Sequence, residues 1–447
     1  MLVNLLSFAS IMKSIGGVLL AVVILLAMVT IHEFGHYVAG KLLGFKITEF
    51  AVGFGPAILK KRSKKTGEIF ALRIVPLGGY CAFDGEDYDE EDERHQGQNK
   101  NEKDEKNDKT DEEEPFAELK SPETEAKTSV DEATAPVEDS GGVEKANKDA
   151  EYPEPKGERF NDQPPWKRII VLIAGATMNY LLAVFLIILM FATTGRMTHQ
   201  VIKNAPEAGF EGLPNVSETY ETGLLTGDVI LKVEGKTMYL ITDYMSVLDG
   251  KKQGETVEIL VLREGREKTV EVTLIEDAAF ANMSDTGTLL YSLGIATRGE
   301  VDGVMQTTRG GGLTAYQVKD GFFETIGNSF VYSIKIGGTV LRSLGELLTG
   351  KLGIDSMGGP VTTIKVTSEV AASGFASFLN IAAFIGVNLA VFNLLPIPAL
   401  DGCKVIFCLI EWIRKKPVNR KVETMIHFIG IIFLFGFAIL VDLLQLF

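Results

Sequence analysis

Apolar residues gather in long runs along this chain instead of spreading evenly. Residues 15–31 form the first run, 169–192 the second, 370–400 the third and about 425–441 the fourth, and the second and third carry no charge. A helix needs roughly 20 apolar residues to cross a bilayer, so these are four expected membrane spans. Lys13 ahead of the first run resembles the start of a signal peptide. Cleavage there would strip away the histidine motif described below, so the run is expected to stay. Between the second and third runs the period shortens. Residues 229–233, 256–262 and 269–274 read as short strands split by Gly-Asp and Glu-Gly turns, a small α/β domain. Residues 46–59 and 69–76 read as two strands around the turn 60–67, a membrane-associated hairpin whose edge can pair with an extended chain. Residues 309–312 read as a flexible link. Residues 320–348, interrupted by Lys335, Arg342 and Glu346, read as an amphipathic helix at the interface.

Charge changes this picture in one place. The chain of 447 residues carries a net charge of −15, but residues 84–159 alone hold 28 acidic and 11 basic side chains. The stretch 84–160 is therefore expected to be a disordered acidic insert, too poor in apolar residues to offset the cost of ordering. The remainder is close to neutral, and no nucleic-acid partner is expected. Lys41, Lys46, Lys60, Lys61, Arg62, Lys64, Lys65, Lys167 and Arg168 follow the first span or precede the second, and Arg414, Lys415, Lys416, Arg420 and Lys421 lie between the third and fourth. Basic residues near span ends mark the cytoplasmic side. Both termini and residues 193–369 are then expected outside. Cys81, Cys403 and Cys408 show no CxxC spacing and imply no disulfide framework.

The candidate chemistry sits at the end of the first run, where HEFGH places His32, Glu33 and His36. Residues i and i+4 share a helix face, so both imidazoles can hold one metal ion, with Glu33 beside them to take a proton from water. Ionisable groups inside a span are costly and point to function. A catalytic zinc needs a third protein ligand. The third run ends in NLLPIPALDG, where Pro396 and Pro398 break the helix and Asp401 is the first carboxylate after the uncharged stretch. Asp401 is the favoured third ligand; capping of the next helix, or Cys403 as the ligand, are the alternatives. Asn393 stands two turns earlier, suited to a substrate or a developing oxyanion. Asn179, in the second span, reads as packing between helices, where Ala174 and Gly175 suggest close approach to the first span.

The stretch GLLTGDVILKVEG, residues 223–235, resembles PDZ domains of the bacterial protease type. That resemblance implies a groove at Gly223, Leu224, Gly227 and Asp228 that binds chain ends. Taken together, HEFGH, NLLPIPALDG and the intervening PDZ-like stretch resemble the site-2 protease family, in its regulator-of-sigma-E-protease branch with a single PDZ domain. GFGP at 53–56, PLGGY at 76–80 and GGP at 358–360 are similar to that branch as well. The resemblance implies a multi-span α-helical membrane protein with an α/β PDZ domain. It implies Zn2+ on His32, His36 and Asp401, Glu33 as general base, and Asn393 assisting. Gly53, Gly55, Gly78, Gly79, Gly358, Gly359, Pro360, Pro396 and Pro398 become substrate-binding candidates. The expected order is 1–45 first span, 46–83 hairpin, 84–160 insert, 161–193 second span, 194–300 PDZ domain, 301–369 linker and interfacial helices, 370–412 third span and 413–447 fourth. The expected activity is zinc-dependent cleavage of single-span substrates, such as anti-sigma factors or remnant signal peptides, in a bacterial cytoplasmic membrane. A scaffold with a closed structural metal site and an ion transporter are the competing classes.

Overall fold

The computed structural model describes residues 2–86, 152–203, 223–301, 304–353 and 358–446; most of the acidic stretch, residues 87–151, lies outside them. Among the described residues, four helices are long and apolar enough to cross a membrane, over Ile15–Leu43, Pro165–Thr194, Phe375–Asn393 and Arg420–Leu444. The first belongs to α1, Leu2–Leu43, which has no internal proline and ends at Gly44 in the left-handed region (φ 80). Helix α2, Pro165–Thr194, starts with proline at its first position and ends at Gly195. The two helices touch backbone to backbone: a Cβ on Gly35 would lie 2.4 Å from the Ala174 carbonyl oxygen. That is the close approach expected of the small residues in the second run.

Between these helices, β1 (Ile47–Arg62) and β2 (Ile69–Phe83) pair antiparallel, but not as a simple hairpin. Ala51 faces both Tyr80 and Ala71, and Val52 faces both Gly79 and Leu72. Each strand doubles back, β1 near Gly53–Gly55 and β2 near Gly78, giving a folded sheet with an inner segment paired on two sides. Its root is fixed to α1, where Tyr37 donates to Glu68 at 3.1 Å and Lys41 forms an ion pair with the same carboxylate. Phe54, Ile58, Leu59, Ile74 and Val75 are exposed on this sheet.

The chain then enters a β domain at the other end of α2. Its sheet runs β10 (Gly311–Val318), β3 (Arg196–Lys203), β4 (Val229–Val233), β6 (Thr256–Arg263), β7 (Arg266–Thr273), with β5 (Lys236–Thr237) on β4. Helix α3, Ile241–Leu248, and helix α4, Thr286–Ser292, cover it. Alternation in the strands buries Ile230, Val233, Val257, Ile259, Val261 and Val272. Strand β10 pairs with β3 from Val318↔Arg196 to Gly311↔Lys203. The sheet therefore extends past residue 300, and glycines 311 and 312, expected in a flexible link, lie in a strand. β8 (Thr297–Val301) and β9 (Val304–Arg309) form a separate two-stranded sheet.

Helix α5, Phe322–Leu348, is the expected amphipathic helix, and it joins the two regions. Its Tyr332 and Ile336 pack with Ile187, Phe191 and Leu379 of the spans. Its Lys335 pairs with Asp243 at 2.6 Å, and its Asn328 accepts from Tyr239 at 2.8 Å.

The third apolar run is not one helix. Helix α6, Pro360–Ala371, ends before Gly374, and α7, Phe375–Asn393, is followed by an irregular loop 394–400 and α8, Asp401–Arg414. Hydropathy alone hides both breaks. Gly374 adopts φ 156 and the two prolines cannot donate helical hydrogen bonds. The fourth span is α9, Arg420–Leu446. At the root end, Arg168 of α2 is buried and donates to Glu411 of α8 at 2.6 Å, and Glu411 also faces Arg420 of α9 at 3.6 Å.

Candidate metal centre

His32 and His36 lie one turn apart on α1, about 16 Å and 10 Å from its end at 1.5 Å rise per residue. Both are buried, and their Nε2 atoms face each other at 3.1 Å. His36 Nδ1 lies 2.8 Å from the Val171 carbonyl oxygen. Nδ1–H donates there, which leaves the Nε2 lone pair pointing at the site. Asp401 Oδ2 stands 3.0 Å from His32 Nε2 and 3.4 Å from His36 Nε2. All three ligand atoms fall within 4.8 Å of one another, the one such group of His, Cys, Asp and Glu side chains among the described residues.

This donor set fits zinc. Two imidazole nitrogens and a carboxylate oxygen converge, and three protein donors leave a fourth position for water or substrate. Cys403 is not part of the group. Asp401 is the first residue of α8, and no side chain caps that helix, so its carboxylate serves the histidines and not the helix end.

Several elements aim Asp401. The loop 394–400 turns sharply at Ala399, whose φ of 80 costs an L residue on the order of 1 kcal/mol. Gly402 then packs on the loop's own backbone: a Cβ there would meet the Leu395 carbonyl oxygen at 2.3 Å. Further along α8, Lys404 pairs with Glu86 at 2.7 Å and Glu411 with Arg168. The loop's Pro398 abuts Gly430 of α9.

Glu33 faces the folded sheet. A Cβ on Gly79 would lie 3.2 Å from Glu33 Cγ. Asn393, the last residue of α7, brings its Nδ2 to 3.5 Å from His32 Nδ1. Two further residues belong to the site although sequence reasoning gave them other work. Gly175 lies against both imidazoles, since a Cβ there would sit 2.5 Å from His36 Nε2 and 2.8 Å from His32 Cε1. Asn179 is fully buried with Nδ2 3.4 Å from His32 Nδ1 and with Oδ1 lacking a hydrogen-bond partner. Turning its amide by 180° lets Oδ1 accept from His32 Nδ1–H and keeps the His32 Nε2 lone pair for the site. An asparagine in an uncharged span was the available signal.

The other candidates are distributed more widely. Gly53, Gly55 and Gly78 form the bends of the folded sheet, with positive φ at all three, and only Gly79 reaches the site. Gly358, Gly359 and Pro360 start α6, where Gly359 abuts Asp442 and Val361 N–H donates to that carboxylate at 3.1 Å. Helix α6 meets α1 at Gly17, about 22 Å along the helix from His32. In the β domain, Leu224 and Asp228 are buried in the interior. Gly223 and Gly227 flank them with positive φ, and the Gly223 carbonyl accepts from Arg263.

The model of Peptidase family M50 matches residues 20–437. The chain is 27% identical to the "Regulator of sigma-W protease RasP" of Bacillus subtilis, over 94% of this chain and 96% of that protein. It is 29% identical to the "Zinc metalloprotease RasP" of Bacillus licheniformis, over 91% and 93% respectively. It is 27% identical to the "Putative zinc metalloprotease FN1322" of Fusobacterium nucleatum, over 95% and 96%.

Proposed function

This chain belongs to peptidase family M50, and from that premise we propose that it is an endopeptidase cutting single-span membrane proteins within the bilayer. It is a zinc metalloprotease of a bacterial membrane. The observation that carries the finer reading is the convergence of Asp401 on His32 and His36, which lie with Glu33 inside a helix of membrane-spanning length.

His32, His36 and Asp401 would hold Zn2+, and the ion would supply Lewis acidity that brings water into the nucleophilic range near neutral pH. Glu33 accepts a proton from the attacking water on its carboxylate and delivers it to the leaving amine. The Asn393 amide donates to the substrate carbonyl oxygen as negative charge develops there. Val171 and Asn179 keep each imidazole in the tautomer that presents Nε2.

A helical substrate hides its peptide carbonyls in hydrogen bonds and must unwind before it is cut. The folded β1–β2 sheet, with Gly79 against Glu33, offers an edge on which the unwound segment pairs. Gly53, Gly55 and Gly78 shape that edge, Pro396 and Pro398 line the approach from the Asp401 loop, and the segment 358–360 marks the outer mouth. The active site lies toward the cytoplasm, with the β domain and both termini outside. That domain acts as a PDZ module, taking chain ends and admitting trimmed substrates while excluding bulky ones. Substrates of the anti-sigma-factor kind accord with the regulatory name carried by the Bacillus subtilis relative.

The test is cleavage of a short-ectodomain single-span reporter by the purified protein, with zinc quantified in the same samples, wild type against Glu33→Gln. Loss of cleavage with zinc retained is expected. Zinc present without cleavage by wild type across several reporters contradicts the reading.

A further inference from the structure

The fourth span is mostly a lipid-facing helix, with Phe428, Ile429, Ile432, Phe433 and Phe435 exposed. It nonetheless grips the loop that carries Asp401 at two points on one face. His427 Nδ1 accepts from the Ala399 backbone N–H at 3.1 Å. Three residues later, Gly430 presses on Pro398: a Cβ there would lie 2.4 Å from Pro398 Cβ and 2.9 Å from its carbonyl oxygen. Ala399 is the one residue of that loop in the left-handed region, two positions before Asp401. The His427 ring also stands 5.9 Å from the ring of Phe407, on the helix that Asp401 begins. An imidazole that accepts at Nδ1 carries its proton on Nε2, so one tautomer is selected.

We propose that His427 is a positioning residue for the third metal ligand. By accepting the Ala399 N–H it holds the left-handed turn that directs Asp401 toward His32 and His36. The fourth span thereby sets metal affinity without touching the metal. A residue that only filled space between α9 and the loop would be replaceable by any side chain of similar bulk. A hydrogen-bond acceptor at the δ1 position would not. The inference rests on the reading of Asp401 as a zinc ligand.

The experiment uses the full-length protein in detergent, dialysed against zinc buffers of graded free concentration, with zinc per chain measured for wild type, His427→Leu, His427→Asn and Asp401→Asn. His427→Leu is expected to weaken zinc binding by about tenfold or more, as loss of an outer hydrogen bond does at metal sites. His427→Asn places an amide oxygen where Nδ1 stood and is expected to recover most of that affinity. Gly430→Ala, which leaves His427 intact but displaces Pro398, is expected to weaken binding as His427→Leu does. It serves if the leucine variant fails to fold. Wild-type affinity in His427→Leu or in Gly430→Ala, or an asparagine variant as weak as the leucine one, overturns the proposal while Asp401→Asn still loses zinc. Undiminished zinc in Asp401→Asn would instead overturn the ligand reading, and the positioning role with it.

Discussion

The membrane bundle and the β domain each place an aspartate beside a glycine, Asp228 buried and Asp401 partly exposed, and the two aspartates have opposite fates. Asp228 accepts from Arg263 Nε and Nη2, both at 2.7 Å, and from the Leu225 backbone N–H at 2.9 Å. Its charge is balanced by a permanent cation in a fork geometry, so it stabilises a turn. Asp401 meets two imidazoles whose other nitrogens are held by Val171 and lie beside Asn179 and Asn393. Imidazoles are metal ligands when neutral, so this cluster is suited to take a cation from outside. A Gly-Asp or Asp-Gly pair does not tell the two roles apart; the partner's chemistry does. The same contrast separates the two sites: Asp228 and Arg263 secure the β domain's own fold, whereas His32, His36 and Asp401 face one another across a site.

The largest effect expected from breaking this contrast falls on Glu33. Glu33→Gln should lower the cleavage rate by about a thousandfold, the range of a lost general base, with zinc content unchanged. Next comes Gly175→Ala, whose methyl would press on both imidazoles; zinc affinity should drop by about tenfold to a hundredfold in equilibrium dialysis. Gly338→Ala, where a Cβ meets nothing within 4 Å, serves as its control. In the β domain, Arg263→Ala leaves Asp228 buried without its cation and should cost about 3 kcal/mol of local stability. Faster hydrogen exchange confined to β4, β6 and β7 would show it, with bound zinc unaltered. Loss of zinc in this variant would collapse the distinction between the regions.

The smallest expected effect is a pH dependence of the β domain. Burial pushes the His199 imidazole down from 6.5 to about 4, against the pull of Asp243. Between those values the unfolded chain binds the proton that the folded domain refuses, so stability rises with pH through this window. It is fully present above about 6.5 and declines as pH falls toward 4. Exchange protection in β3 should fall by about 1–2 kcal/mol between pH 7 and pH 5, and His199→Gln should flatten the change.

Much of the site was legible in the sequence because helical spacing and charge in an apolar run are local properties. His32, Glu33 and His36 follow from one turn of helix, and Asp401 stands out as the first carboxylate after an uncharged stretch. What stayed hidden depends on three-dimensional approach. Gly175 is invisible as a site residue until α1 and α2 are packed, since its role is the absence of a Cβ near two rings. The amide of Asn179 in the second span could serve packing or the site equally, until its distance to His32 was known. His427 lies 26 residues from Asp401 and acts on Ala399 through a backbone N–H, which leaves no mark on composition. In the fold, the helices of membrane length were readable from hydropathy, but the break at Gly374 was not, because apolar residues continue on both sides. The doubled β1–β2 sheet was missed for a similar reason: alternation persists through bends made by single glycines. Strand β10 escaped because three consecutive glycines read as a link, while its partner β3 lies more than a hundred residues earlier.

Zinc K-edge X-ray absorption on the purified full-length protein tests the central claim most directly, because it reports the donor atoms independently of any substrate. The account predicts a first shell of nitrogen and oxygen alone, at about 2.0–2.1 Å, which loses occupancy in Asp401→Asn. A sulfur scatterer at about 2.3 Å, the signature of Cys403 or another cysteine as ligand, would contradict it.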